Sequence, residues 1–386
     1  MKKALIFIAA AAIVSFAACT KTESTAVSEQ RAISFQTIAG LNTKAINGTV
    51  FPTTETFSTY AWADGTAGPY FMDNVTIAYF AGENLWKAKD ETYYWPKNAT
   101  VDFISYYPTG LSGIAVTENT ITYSGIDVDA LQEDIMYADK AVGLSDDPLL
   151  LNEIEDGVNA FTGVPTIFRH ATAKVNFKVA LTYKHKEEAD GTVTDWKVTV
   201  NSAKLSGINT KGGAVLTLSD PSATGVVGWD KPADNVWTPD GTITDINGAL
   251  TGEITPGTVY TAVDTLFVLP QALVAEQQKV TLNVTVETTR NGAPFLSETF
   301  DVSANIRLDA IPAWEMNHIY TYMLMFAPTS SNGNGGSPIT PPSDPSDPNY
   351  PGGVDPDDPN LDDAIITFDP AVDGWENVGI VANIAL

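Results

Sequence analysis

The chain has 386 residues, of which 44% are hydrophobic and 10% aromatic, too many for one ordinary β-sandwich and enough to bury a sizeable core. Its formal net charge of −26 excludes a nucleic-acid partner, whose phosphates it would repel, and suits a protein that stays soluble outside the cell at high local concentration. The single cysteine, Cys19, excludes an intrachain disulfide.

At the N-terminus Lys2 and Lys3 precede an apolar run from Ala4 to Phe16, closed by Ala17-Ala18-Cys19. The run is too short to span a bilayer and reads as a signal peptide over residues 1–18. Its end resembles a lipobox, with Phe16 where Leu is usual, so Cys19 is expected to become the acylated first residue. A plain signal peptide with an incidental cysteine is the alternative. Residues 20–30 are polar and read as a tether.

From Arg31 to about Phe326 the pattern is one of short strands separated by Gly, Pro, Asp and Asn turns. Arg31 to Ile38 is the first strand-like run. The clearest alternations run from Lys174 to Val179 and from Val280 to Val286, apolar on one face and polar on the other, as in half-buried antiparallel strands. Helical periodicity is almost absent; Ala130 to Ala138 has room for a turn or two. The fold is therefore predicted to be all-β and built of sandwiches. An acidic, loop-like stretch from Leu144 to Gly163, ahead of the strong strand at Lys174, sets the expected domain boundary near Pro165.

Residues 327–363 are rich in Pro, Asp, Gly, Ser and Asn and cannot bury enough apolar surface to order themselves alone. The chain then turns apolar again in Ala364-Ile365-Ile366-Thr367-Phe368, at Trp375 and from Val378 to Ile384. A lone strand on the end of an arm is not stable in water. It either folds back onto its own domain or joins another molecule by strand addition.

Catalytic chemistry has no foothold in the pattern. His170, His185 and His318 lie outside any HExxH arrangement, and GxSxG, P-loop and GxGxxG motifs are missing. Asp355 to Asp363 lacks the glycine and terminal glutamate of an EF-hand loop and reads as a solvated spacer. Trp86, Tyr94, Trp95, Tyr106 and Tyr107 read as core rather than as a platform for stacking sugars. No enzyme activity, cofactor or metal site is expected.

Six short motifs, in order along nearly the whole mature chain, resemble the fimbrillin family of Bacteroidales, the type V pilins. They are Leu85-Trp86 with Tyr93-Tyr94-Trp95-Pro96 and Val101-Asp102-Phe103-Ile104-Ser105-Tyr106-Tyr107-Pro108; Gln132-Glu133-Asp134-Ile135-Met136-Tyr137-Ala138; Phe168-Arg169-His170-Ala171-Thr172-Ala173-Lys174-Val175; Val268-Leu269-Pro270-Gln271; Trp314-Glu315-Met316-Asn317-His318-Ile319-Tyr320-Thr321-Tyr322; and Ile366-Thr367-Phe368-Asp369-Pro370 with Val372 and Trp375. The resemblance implies two tandem transthyretin-like β-sandwich domains with a C-terminal donor-strand arm. It also implies export as an outer-membrane lipoprotein, removal of the first strand by a trypsin-like protease, and growth of a surface fibre as the C-terminal strand of one subunit fills the groove left in the next.

On that reading residues 19–44 are a lipidated tether and removable strand, 45–165 and 166–326 the two sandwiches, 327–363 a linker and 364–386 the donor segment. Ile33 and Phe35 of the removable strand match Ile366 and Phe368 of the donor in their apolar–hydroxyl–apolar pattern, and Val372 and Trp375 extend the donor. Lys44 is the expected processing site. Arg31 is the rival, but cutting there would leave the strand attached. While residues 31–38 stay in place the tail is expected to have nowhere to dock, so that proteolysis acts as the assembly switch. The implied partners are other fimbrial subunits, the maturation protease and a host or bacterial surface receptor, with the outer membrane engaged through the lipid before cleavage. A monomeric outer-membrane lipoprotein that binds glycans is the alternative.

Overall fold

The computed structural model describes residues 32–37, 51–64, 70–96, 99–145, 163–181, 185–187, 190–223, 225–248, 252–254, 259–261, 266–307, 311–327, 365–368 and 371–374. Their regular structure is nearly all β-strand, in several mainly antiparallel sheets.

The N-terminal sheet starts from β1 (Phe35–Thr37), β2 (Thr56–Ala63), β3 (Met72–Phe80), β4 (Leu85–Ala88) and β5 (Val101–Tyr107). It is completed by β8 (Met136–Ala138), β9 (Lys140–Leu144), β10 (Val164–Thr166) and β11 (Phe168–His170). Its order is β10-β1-β4-β3-β2-β5-β8-β11, with β9 beside β5. Pro165 therefore lies inside a strand of this sheet, opposite Gln36 of β1. Alternation along β2 and β5 turns Phe57, Ala61, Val101 and Phe103 to one side, where they join Ile33, Phe35, Phe51, Ile77, Trp86 and Val164 in one core cluster.

The opposite face of β2 and β5 meets a sheet of order β17-β15-β7-β6, formed by β6 (Ile114–Thr117), β7 (Thr120–Asp127), β15 (Lys211–Leu218) and β17 (Trp229–Asp230). Here β7 runs antiparallel to β15, so residues from the two halves of the sequence share one ladder. A further join of this kind is β16 (Gly225–Val227) on β9, while β18 (Thr238–Pro239) adds to β15 within the second half. Helix α1 (Val128–Leu131) is a single turn capped by Asp127, whose carboxylate accepts from the Ala130 N–H. It reaches only Ala130 and Leu131 of the stretch expected to hold a turn or two, whose end, Met136–Ala138, is strand β8.

Two sheets complete the fold. In one, β14 (Val193–Asn209), β24 (Lys279–Arg290) and β25 (Ala293–Asn305) form a long antiparallel run, with β13 (His185–Glu187), β19 (Ile243–Gly248) and β20 (Gly252–Ile254) along β14. The predicted alternation holds here: Val280, Leu282, Val284 and Val286 are buried and the residues between them are not. In the other, β12 (Ala173–Leu181) lies between β27 (His318–Ala327) on one side and β21 (Val259–Thr261) and β22 (Leu266–Val268) on the other. A short pair, β23 (Gln271–Ala272) and β26 (Ala313–Trp314), lies apart. The larger core draws on residues from Ile104 to Leu324, so the two halves of the chain share one apolar interior.

Candidate functional site: the first strand and the C-terminal segment

The first strand is a plug. Ile33 and Phe35 are each only 3% exposed. The Phe35 ring meets Phe57 and Phe103 edge-on, at 5.8 and 5.7 Å between centroids. Backbone bonds hold the strand on both flanks. The Ile33 N–H donates to the Tyr93 carbonyl at 2.8 Å, the Val164 N–H donates to the Ser34 carbonyl at 2.7 Å, and Phe35 stands opposite Trp86. Pairing with β10 is parallel and pairing with β4 antiparallel. Gly163 lets β10 approach this closely, since a Cβ there would fall 2.7 Å from the Ser34 carbonyl oxygen. Burying two large apolar side chains contributes about 3–6 kcal/mol to holding the strand. Its loss would leave a slot between β10 and β4 floored by Phe57 and Phe103.

The C-terminal segment lies in a different sheet. Its strands β28 (Ile365–Phe368) and β29 (Ala371–Gly374) both pair antiparallel with β27 of the same chain. Ile365 stands opposite Ala327, Phe368 opposite Leu324, Val372 opposite Tyr320 and Gly374 opposite His318, so the two strands keep one register. The tail thus has an acceptor while the first strand is in place, which corrects the expectation that a filled N-terminal groove leaves it nowhere to go. The reason lies in β27. One of its edges is taken by β12 in a parallel ladder from Ile319 to Phe326, and the other is open to the tail.

Strand β27 is rigidly mounted. Tyr320, Tyr322 and Leu324 are buried, and Tyr322 stacks on Phe177 at 5.6 Å. The Tyr322 hydroxyl accepts from Trp314 Nε1 at 3.0 Å, and the Tyr320 hydroxyl accepts from the Glu315 N–H at 2.8 Å. Burial pushes both phenol pKa values well up, against the effect of these two donated bonds. Both tyrosines therefore stay neutral hydrogen-bonding groups, and the acceptor edge keeps one form at any physiological pH.

Of the residues singled out in the sequence, Ile33 and Phe35 sit together in the N-terminal core. Ile366, Phe368 and Val372 take register positions along β27, in another sheet. Cys19, Arg31, Lys44 and Trp375 lie outside the described residues. The acceptor edge of β27 was missed by sequence reasoning, although the alternation Tyr320, Tyr322, Leu324 marks a half-buried strand. Among the expected core aromatics Trp86, Tyr106 and Tyr107 are buried, while Tyr94 is 47% exposed at the isolated bridge it makes with Ala32.

Solved structures with a similar course of chain include a fimbrial protein from Bacteroides vulgatus, 16% identical, with 90% of this chain and 100% of that one covered and a TM-score of 0.49. Others are candidate cell adhesion proteins from Bacteroides uniformis (17% identical, 89% and 99% covered, TM-score 0.45) and Parabacteroides distasonis (12% identical, 90% and 96% covered, TM-score 0.40). None of the curated proteins matches the chain. The sequence model of the fimbrillin-like family matches residues 43–341, well over half the length, and the chain belongs to that fimbrillin-like family.

Proposed function

We propose that this protein is a structural subunit of cell-surface fimbriae, exported as a lipoprotein through Cys19, matured by trypsin-like cleavage at Lys44 and polymerised by donor-strand exchange in support of adhesion. Its strands form transthyretin-like sandwiches that share one apolar interior, and residues 364–386 act as the donor arm. One observation carries the reading: the first strand is a buried plug between two strands that come later in the chain. Cleavage beyond Thr37 would release Ile33 and Phe35 together and leave a slot shaped for an extended segment with apolar residues at every second position. Other copies or other fimbrial subunits supply that segment.

Trypsin treatment of the purified chain tests the proposal. The expected result is loss of the first 44 residues followed by ladders of polymer, with none from a chain lacking residues 364–386. Filaments from the tailless chain, or a tail that stays protected on β27 after processing, would overturn it. The ladder of the tail on its own β27 favours one rival, a monomeric glycan-binding surface lipoprotein, which would remain monomeric after the same treatment.

A further inference from the structure

A second cluster of aromatic residues lies away from both terminal strands. Tyr60 and Trp62 project from β2 on the face opposite Phe57 and Ala61, and both are only partly buried. Their rings are 6.4 Å apart and inclined by 22°, and Tyr106 continues the row 6.4 Å beyond Tyr60. Tyr70 leans across the row at 53° to Tyr60 and 54° to Trp62, with centroids 5.4 and 5.5 Å away, and its hydroxyl donates to the Val116 carbonyl at 3.4 Å.

Beside this row the β2–β3 ladder is bulged. Thr59 pairs with Val75 and Ala61 with Met72, so Asp73 and Asn74 together oppose Tyr60. Asn74 takes a left-handed φ of 50°, and its Oδ1 accepts from the Tyr106 hydroxyl at 2.8 Å, which leaves its amide N–H groups to donate elsewhere. A bulge of this kind re-aims side chains and is enriched next to binding sites. Among the described residues, neither the Tyr60 hydroxyl nor Trp62 Nε1 has a hydrogen-bond partner.

We infer that Tyr60, Trp62, Tyr70, Asp73 and Asn74 form a binding site for a neutral carbohydrate. Partly exposed rings accept the C–H surface of a pyranose, and a carboxylate, an amide, a phenol and an indole N–H set close by match its hydroxyl groups. A rim that served only to pack would gain nothing from two unpaired polar handles and a strained asparagine. Charge selects the neutral class. The chain carries −26, and Lys140, which stands 6.0 Å from the Trp62 ring, is already held by Asp102 at 2.8 Å and by the Glu118 carbonyl at 2.9 Å. No cation in the cluster is left for a sialylated or sulfated glycan.

Saturation-transfer NMR on the full chain tests the inference, with lactose, cellobiose, chitobiose and mannobiose as neutral probes and 3′-sialyllactose as the anionic one. At least one neutral disaccharide should receive saturation through its ring C–H protons. Trp62→Ala should weaken that binding at least tenfold and Tyr60→Phe severalfold, while Phe295→Ala on β25, in a different sheet, should leave it unchanged. Absence of transfer to all four neutral probes, stronger transfer to sialyllactose, or unchanged affinity in a folded Trp62→Ala chain would overturn the site. Should Trp62→Ala fail to fold, unchanged affinity in Tyr60→Phe overturns it instead.

Discussion

Phe35→Ala is the most direct probe of the plug. The side chain is 3% exposed and wedged edge-on between Phe57 and Phe103. Truncating a phenylalanine in such a site removes its transfer energy and leaves a cavity, a loss of about 3–5 kcal/mol. The loss falls on opening of the first strand, because β1 spans only Phe35–Thr37 and has few other anchors. Each 1.4 kcal/mol is a factor of about ten in an equilibrium constant, so opening should become at least about 10²-fold more frequent. Native-state hydrogen exchange reads this at the Val164 amide, which is protected only while it donates to the Ser34 carbonyl. The Val284 amide in β24 serves as the internal reference. Protection of Val164 that stays within about threefold of the parent would mean that Phe35 does not hold the strand, and the picture of a side-chain-anchored plug would fall.

Gly163→Ala should act on the same seat from the other flank. Its Cβ would meet the Ser34 carbonyl at 2.7 Å, and overpacking of that order costs about 1–3 kcal/mol, read as a lower midpoint in urea and faster tryptic release of the first strand. Arg169→Ala removes the fork that grips Asp139 through Nε at 3.0 Å and Nη2 at 2.9 Å, and the carboxylate, 7% exposed, loses its charge partner. The expected destabilisation is about 3 kcal/mol by denaturant titration, and a change below about 1 kcal/mol would show that water replaces the arginine. Burial pushes the Tyr60 and Tyr93 phenols up to about 12, Tyr93 with help from its hydrogen bond to Glu91. Their folded-state pKa values lie above the unfolded one, so their contribution is complete below about pH 10 and is lost as pH rises through 12. Ultraviolet titration of tyrosinate should therefore find these two phenols un-ionised at pH 11 in the folded chain and ionised there in urea.

The legible parts of this molecule are those governed by period-two alternation. Lys174 to Val179 and Val280 to Val286 announce strands because apolar residues return at every second position, and both are strands with those residues buried. Ile33 and Phe35 could be assigned to a core for the same reason. What alternation cannot convey is which strand lies beside which. The parallel pairing of β12 with β27 joins Lys174 to Ile319, and the antiparallel pairing of β7 with β15 joins Tyr123 to Ala214, contacts fixed by shape and volume far along the chain. The tail was legible as a strand needing a partner, but its partner was not, since any half-buried strand with an open edge would satisfy the rule. The Tyr60 cluster was illegible for a related reason: a bulge of one residue in β3, invisible in the sequence, is what sets Asp73 and Asn74 against β2.

Every wall of the first-strand seat is made from residues that follow it, from Phe51 and Phe57 through Trp86 and Phe103 to Val164. A polypeptide translocated N-terminus first delivers Ile33 and Phe35 to the far side of a membrane long before Val164 arrives. Until then the leading strand has no partner, and the seat closes last around whichever extended segment reaches it. The native occupant wins that race through tethering, which sets its local concentration near the millimolar range. On the proposed function, biogenesis would be a kinetic contest between a covalently attached guest and the free ends of neighbours already folded. Crowding of nascent subunits at the exit site would tilt it toward premature joining.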